Sequence, residues 1–206
     1  MATPSSMIHR FEPGTSGDTV LLLHGTGGDE NDLIGLGREL APKANLLSPR
    51  GQVLENGMPR FFRRIREGVF DEADLVRRAA DLDRFVRDAI RQYAIDPARL
   101  RAFGYSNGAN MAAALLLLHP TLLAGAALLR AVLPLEPPAL PDLSHKPVLI
   151  LAGRNDPYAP QTRVQDLADR LTSAGARVDL RWSDGGHAPG PAEMDGLARW
   201  FRSAKS

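Results

Sequence analysis

The chain alternates between short runs that are mostly apolar and longer stretches in which apolar residues recur three and four positions apart. Thr19 to Leu23, Arg99 to Phe103, Leu122 to Leu129 and Pro147 to Ala152 are of the first kind. Short apolar runs bounded by turn residues predict strands covered on both faces. The longest stretch of the second kind is Asp71 to Tyr93, where Leu75, Val76, Ala79, Leu82, Phe85, Val86 and Ile90 make one stripe of a helix. Further helices are predicted from about Glu30 to Leu40, from Ala109 to Leu118, from Gln161 to Ala174 and from Gly190 to Arg202. Asn45 to Ser48 reads as a short strand, Met7 to Phe11 as a weak edge strand, and Arg177 to Trp182 alternates as a strand nearer an edge does. Residues 49 to 70 predict no regular element.

Strands alternating with helices predict an α/β fold, a mostly parallel sheet with helices on both faces and right-handed crossovers. A length of 206 residues fits a single domain spanning 1–206. Four unusual loops each follow a strand: His24 to Asp29, Gly104 to Gly108, Gly153 to Pro157 and Asp184 to His187. In open parallel sheets, ligands bind at that edge.

One segment, Met111 to Leu129, imitates a membrane span. His119-Pro120 interrupts it, and a proline there breaks a helix, so it reads as helix, turn and strand. The first ten residues hold no apolar core of secretory length, so a cytoplasmic location is expected. Net charge is +1, with arginines interleaved among Asp and Glu, as on an ion-paired helix face rather than a nucleic-acid patch. The absence of cysteine excludes a thiolate metal site and a cysteine nucleophile. The glycines of His24 to Gly28 lack both the Gly-Lys-Ser/Thr ending and the G-x-G-x-x-G spacing of phosphate loops, and no cofactor or metal is expected.

The chemistry centres on Gly104-Tyr105-Ser106-Asn107-Gly108. A G-x-S-x-G pentapeptide between a strand and a buried helix predicts a nucleophile elbow, with Ser106 at a helix N-terminus. Serine is a poor nucleophile without a base, and the base needs an acid to fix its tautomer. Of the five histidines, His187 follows the last strand on a Gly-Gly turn and is the expected base, while His24 suits a structural or oxyanion-loop role. Asp156 closes the strand that ends at Ala152 and is the expected acid, with Asp184 as its rival. The order Ser106, Asp156, His187 is that of α/β-hydrolases. Oxyanion donors are expected from the backbone N–H groups of Asn107 and Thr26. Phe61, Phe62, Arg130 and Tyr158 are candidates to line a substrate pocket, although two adjacent Phe also suit a core plug. Trp182, Trp200 and Phe201 could serve a homodimer contact or core packing equally well.

Together these motifs resemble the bacterial carboxylesterase/phospholipase branch of the α/β-hydrolases, which is similar to acyl-protein thioesterases and, more distantly, to dienelactone hydrolases. Arg60 to Leu75 and Leu128 to Pro134 look like a subgroup associated with hydroquinone-type stress genes in bacteria. The likeness runs from Val20 to the end. It implies a serine carboxylesterase that hydrolyses small or short-acyl esters through an acyl-enzyme, with water as second acceptor. Dienelactone hydrolases use a cysteine nucleophile, which this chain lacks. The insertion that builds a large lid in lipases is also missing, so an open site is expected. The alternatives are an acyl-thioesterase, a lysophospholipase-type hydrolase, or a non-catalytic member of the fold that binds a small molecule.

Overall fold

Seven strands form one sheet in the computed structural model, which describes residues 7–203. They are β1 (His9–Glu12), β2 (Thr19–Leu23), β3 (Asn45–Pro49), β8 (Leu100–Tyr105), β9 (Gly125–Leu129), β10 (Pro147–Gly153) and β11 (Arg177–Ser183). Their order across the sheet is β1-β3-β2-β8-β9-β10-β11. Only β1 runs antiparallel, pairing β3 at one edge.

The apolar runs are legible as two cores. Leu21, Leu23, Ala126, Leu128, Val148 and Ile150 face one side, while Val20, Leu22, Ala127, Leu129, Leu149 and Leu151 face the other. Successive strand residues point to opposite faces, so a strand buried on both sides must be apolar at every position. Helices α2 (Glu72–Gln92), α3 (Asn107–Leu118) and α4 (Gln161–Ser173) cover the first side, and α1 (Ile34–Leu40) and α5 (Pro191–Ser203) the second. No helix among the described residues is long and apolar enough to cross a membrane. The apolar stretch from Met111 divides into the end of α3, a turn and β9.

Four expectations are corrected. The first helix begins at Ile34, after a series of turns from residue 26 onward, not at Glu30. Leu122 and Leu123 are buried, but in the turn before β9 rather than in the strand. On α2 the stripe runs through Leu75, Ala79, Leu82, Val86 and Ala89, and Val76, one position off it, is 47% exposed. Asp74 is buried instead, because it accepts the Arg63 N–H at 2.8 Å and pairs with Arg77 and Arg78. Lastly, residues 49 to 70 contain two hairpins: β4 (Val53–Glu55) with β5 (Met58–Arg60), and β6 (Arg64–Arg66) with β7 (Val69–Phe70). Between the first two strands, Asn56 and Gly57 both take positive φ, 51° and 80°. That is the two-residue turn that Asn-Gly favours.

α3 packs closely on the sheet at two glycines. A Cβ on Gly108 would sit 2.0 Å from the Leu23 carbonyl oxygen, and one on Gly104 2.6 Å from the Gly108 oxygen. Both obstacles are backbone, which cannot rotate away. Gly108→Ala is therefore expected to destabilise the protein by about 3 kcal/mol, read by chemical denaturation; an unchanged midpoint would contradict so close a contact.

Candidate active site

Every loop expected to carry chemistry reaches the carboxyl edge of the sheet. Ser106 follows β8, Asp156 follows β10, His187 follows β11 and Thr26 follows β2. The elbow is a real strain point: Ser106 has φ 52° and ψ −114°, a conformation that costs a non-glycine residue roughly 1–3 kcal/mol. It is held from both sides, by the Ser106 N–H donating to the Leu129 carbonyl at 2.9 Å and by the Asn110 N–H donating to the Ser106 carbonyl at 3.0 Å.

The structure brings the three residues into a relay. His187 Nδ1 lies 2.8 Å from Asp156 Oδ2, and His187 Nε2 lies 3.0 Å from Ser106 Oγ. A carboxylate can only accept, so Nδ1 carries the proton and Nε2 accepts from the serine hydroxyl. The carboxylate of Asp156 is fully buried and is steadied by the Tyr158 N–H at 2.9 Å. Its rival Asp184 is 96% exposed and faces Arg154 at 3.7 Å, away from the ring. Tyr105 ties down the His187 backbone, its hydroxyl donating to the His187 carbonyl at 3.2 Å. The Tyr158 ring stands edge-on to the imidazole at 5.0 Å.

Ser106 opens into a cleft of about 310 Å³, whose lining includes Thr26, Asn107 and Tyr158. Asn107 begins α3, so its amide is one of the first four that have no acceptor within the helix. The loop that carries Thr26 is braced by the first hairpin: Arg60 Nη1 donates to Thr26 Oγ1 at 2.6 Å, and the Gly27 N–H donates to the Pro59 carbonyl at 3.0 Å. The far wall is built by Arg64, Glu67, Gly68 and Phe70 of the second hairpin. Sequence reasoning missed these residues, although Asn56-Gly57 announced the hairpin that delivers Arg60. A larger hollow of about 640 Å³ lies across the sheet, by Thr19, Arg101 and Phe201 at the strands' opposite end, with none of the relay residues in it. Among the described residues no three His, Asp or Glu side chains gather as a metal site requires.

Two of the pocket candidates have other surroundings. Phe61 and Phe62 are buried and absent from the cleft lining; Phe61 packs on His24 and Phe62 stands edge-on to Phe70. The Phe61 N–H donates to Asn107 Oδ1 at 2.7 Å, which draws the segment inward. Arg130 borders the cleft, but its side chain has no exposed area. Trp200 is buried against α1 and the sheet, and Trp182 lies beneath the Arg154 guanidinium at 5.4 Å.

His24 is wholly buried, with Nδ1 donating to the Gly25 carbonyl at 2.7 Å and Nε2 accepting from the Gly51 N–H at 3.0 Å. Burial pushes its pKa below the usual 6.5, against the pull of the Gly25 carbonyl and nearby acids. The unfolded chain takes up this proton below about pH 6.5 while the folded protein resists it, so the stability His24 contributes is present above that pH and is lost as pH falls. Melting temperatures taken from about pH 7.5 down to about pH 5 should therefore fall less steeply in His24→Gln; parallel curves would remove His24 as the cause. Phe62→Ala should lower stability by about 3–5 kcal/mol, as a core residue does, and urea titration separates that from a change confined to substrate binding.

The model of the phospholipase/carboxylesterase family matches residues 13–203. The Bacillus subtilis protein MhqD is 46% identical over 198 residues, 96% of this chain and 99% of its own. The crystal structure of the Bacillus cereus carboxylesterase superposes with a TM-score of 0.93 at 42% identity, covering 97% of this chain and 95% of that one. A carboxylesterase from Mesorhizobium loti gives a TM-score of 0.86 at 33% identity, over 92% and 90% of the two chains.

Proposed function

The chain belongs to the phospholipase/carboxylesterase family of α/β-hydrolases, and on that premise we propose that it is a serine carboxylesterase acting on small or short-acyl esters. The observation that carries the reading is the unbroken relay from Ser106 Oγ through His187 to Asp156, at 3.0 and 2.8 Å. Ser106 Oγ attacks the ester carbonyl while His187 Nε2 takes its proton. Asp156 stabilises the resulting imidazolium without itself being protonated. The amides of Asn107 and Thr26 receive the tetrahedral oxyanion. Collapse breaks the ester C–O bond, and the alcohol leaves with the proton from His187. Water, activated by the same imidazole, then releases the acid and restores Ser106.

The size and lining of the cleft support the substrate class. At about 310 Å³ it lies at the lower end of ligand-pocket volumes. Its lining is mostly polar; Phe70, Tyr105 and Tyr158 supply its apolar surface, and no aliphatic side chain is among its residues. A methylene contributes about 0.8 kcal/mol only where it leaves water for apolar surroundings, so extra acyl length gains little there. Purified protein treated with a fluorophosphonate should carry the label on the Ser106 peptide, and turnover of p-nitrophenyl esters should fall from acetate upward. Ser106→Ala should reduce kcat/KM by about 10⁴-fold or more. Esterase activity that survives the substitution, or a folded protein that takes no label, would move the reading to a binding member of the fold. A preference for long-chain substrates would sink the short-acyl part alone.

A further inference from the structure

Building on the serine esterase reading, we propose that buried Arg130 and half-buried Glu193 form an ion pair that positions His187 and balances the charge around it. Arg130 directly follows β9 with φ 61°, a left-handed conformation that residues other than glycine rarely adopt. Its side chain has no exposed area. Each guanidinium nitrogen is spoken for. Nε donates to the carbonyls of Gly186 at 2.8 Å and His187 at 3.2 Å. Nη1 donates to the Leu151 carbonyl at 3.2 Å and to Glu193 Oε1 at 2.7 Å. Nη2 donates to the Ala188 carbonyl at 3.3 Å and to Glu193 Oε2 at 2.9 Å. No donor is left over for a substrate.

The grip has a mechanical purpose. Three consecutive carbonyls, those of residues 186 to 188, point at one rigid cation. Glu193 Oε2 also accepts the Gly190 N–H at 2.9 Å, so the same carboxylate caps the start of α5. The base thus sits on a loop clamped at both ends, although Gly185 and Gly186 lead into it. A planar fork with five donors can do this; a lysine ammonium cannot.

The pair also sets charge. Arg130 Nε lies 3.9 Å from Asp156 Oδ2, the oxygen that accepts the hydrogen bond from His187 Nδ1. The charged or titratable groups around the imidazole are Asp156 after β10, Arg130 after β9, Glu193 on α5, Tyr105 at the end of β8, and Tyr158. Burial alone would raise the Glu193 carboxyl, but hydrogen bonds from Arg130 and Gly190 outweigh it and hold it below its usual value. Glu193 is therefore an anion opposite a cation. Neutralising Arg130 leaves two carboxylates near the ring and favours the imidazolium; neutralising Glu193 leaves Arg130 less compensated and disfavours it.

Opposite signs make the inference testable. Wild type, Arg130→Met, Arg130→Lys and Glu193→Gln are compared by fluorophosphonate labelling, thermal melting and the pH dependence of p-nitrophenyl acetate hydrolysis. For Arg130→Met, kcat should fall about 10²-fold with KM nearly unchanged, and the acid limb of kcat/KM should move up by about one pH unit. For Glu193→Gln the acid limb should move down. Arg130→Lys keeps the charge but not the fork, so its limb should stay near wild type while kcat remains reduced. If Arg130→Met does not fold, the Glu193→Gln limb decides: a downward shift supports the proposal and an unmoved limb overturns it. Losses that appear only in KM, or limbs that coincide in all variants, also overturn it. Wild type that takes no label at Ser106 removes the esterase reading and this inference together; labelled wild type with unmoved limbs removes this inference alone.

Discussion

A serine held at φ 52° is the constraint on which the rest of this architecture turns. The conformation is unfavourable for any residue with a Cβ, so the surroundings must over-determine it. They do so by proximity. α3 packs so closely on β2 and β8 that neither Gly104 nor Gly108 has room for a methyl group. That contact in turn requires β2 and β8 to be neighbours, and every position of β2 is buried, which is why Thr19 to Leu23 carries no charge. The demand of one strained serine thus propagates outward, from one dihedral angle to a helix contact to the composition of a central strand.

Around that fixed point the candidate site is assembled by loops with little regular structure of their own. A sheet positions the ends of strands, but His187 and Thr26 lie several residues beyond those ends. Something must carry the rigidity across. For the Thr26 loop it is the first hairpin, through Arg60 and Pro59. For the second hairpin it is Arg163, which donates to the Gly68 carbonyl at 2.6 Å and the Leu133 carbonyl at 3.1 Å while lying 5.2 Å from the Phe70 ring. The hairpins therefore wall the cleft and also brace the loops beside it, so a change that reshapes the wall also acts on the Thr26 loop.

How much of this was legible in the sequence depends on the range of the interaction involved. Ser106, Asp156 and His187 each follow a strand and carry local signatures in the chain, and the alternation of apolar runs and amphipathic stretches predicts a parallel sheet whose carboxyl edge gathers the loops that hold them. Their proximity follows from topology. Val76 was misplaced for a local reason: it is apolar and adjacent to Leu75, but periodicity alone does not say where the stripe's edge falls, and the burial of Asp74 depends on Arg63 from a distant turn. Phe61 and Phe62 were ambiguous because either destination, core or cleft, suits an aromatic pair; the Asn107 side chain, 46 residues away, decides between them. The hairpins were the avoidable omission, since Asn56-Gly57 is a strong turn signal at short range.

Arginine is where sequence reading fails most instructively. The basic residues are arginines except for Lys43, Lys146 and Lys205, and interleaving with acids makes them look like solvated surface. Along α2 that is what Arg84 and Arg91 are: both are exposed and pair with acids three positions back on the same helix, and surface pairs of that kind contribute only a few tenths of a kcal/mol. Arg60, Arg130 and Arg163 have the same identity and the opposite use. Each donates to carbonyl oxygens that no strand or helix satisfies, and buried carbonyls without a partner are costly. A guanidinium can reach several such groups at once, which suits it to the irregular loops where function is placed. No pattern of neighbours along the chain distinguishes the two classes, because what separates them is the set of backbone groups left unpaired after the sheet has formed.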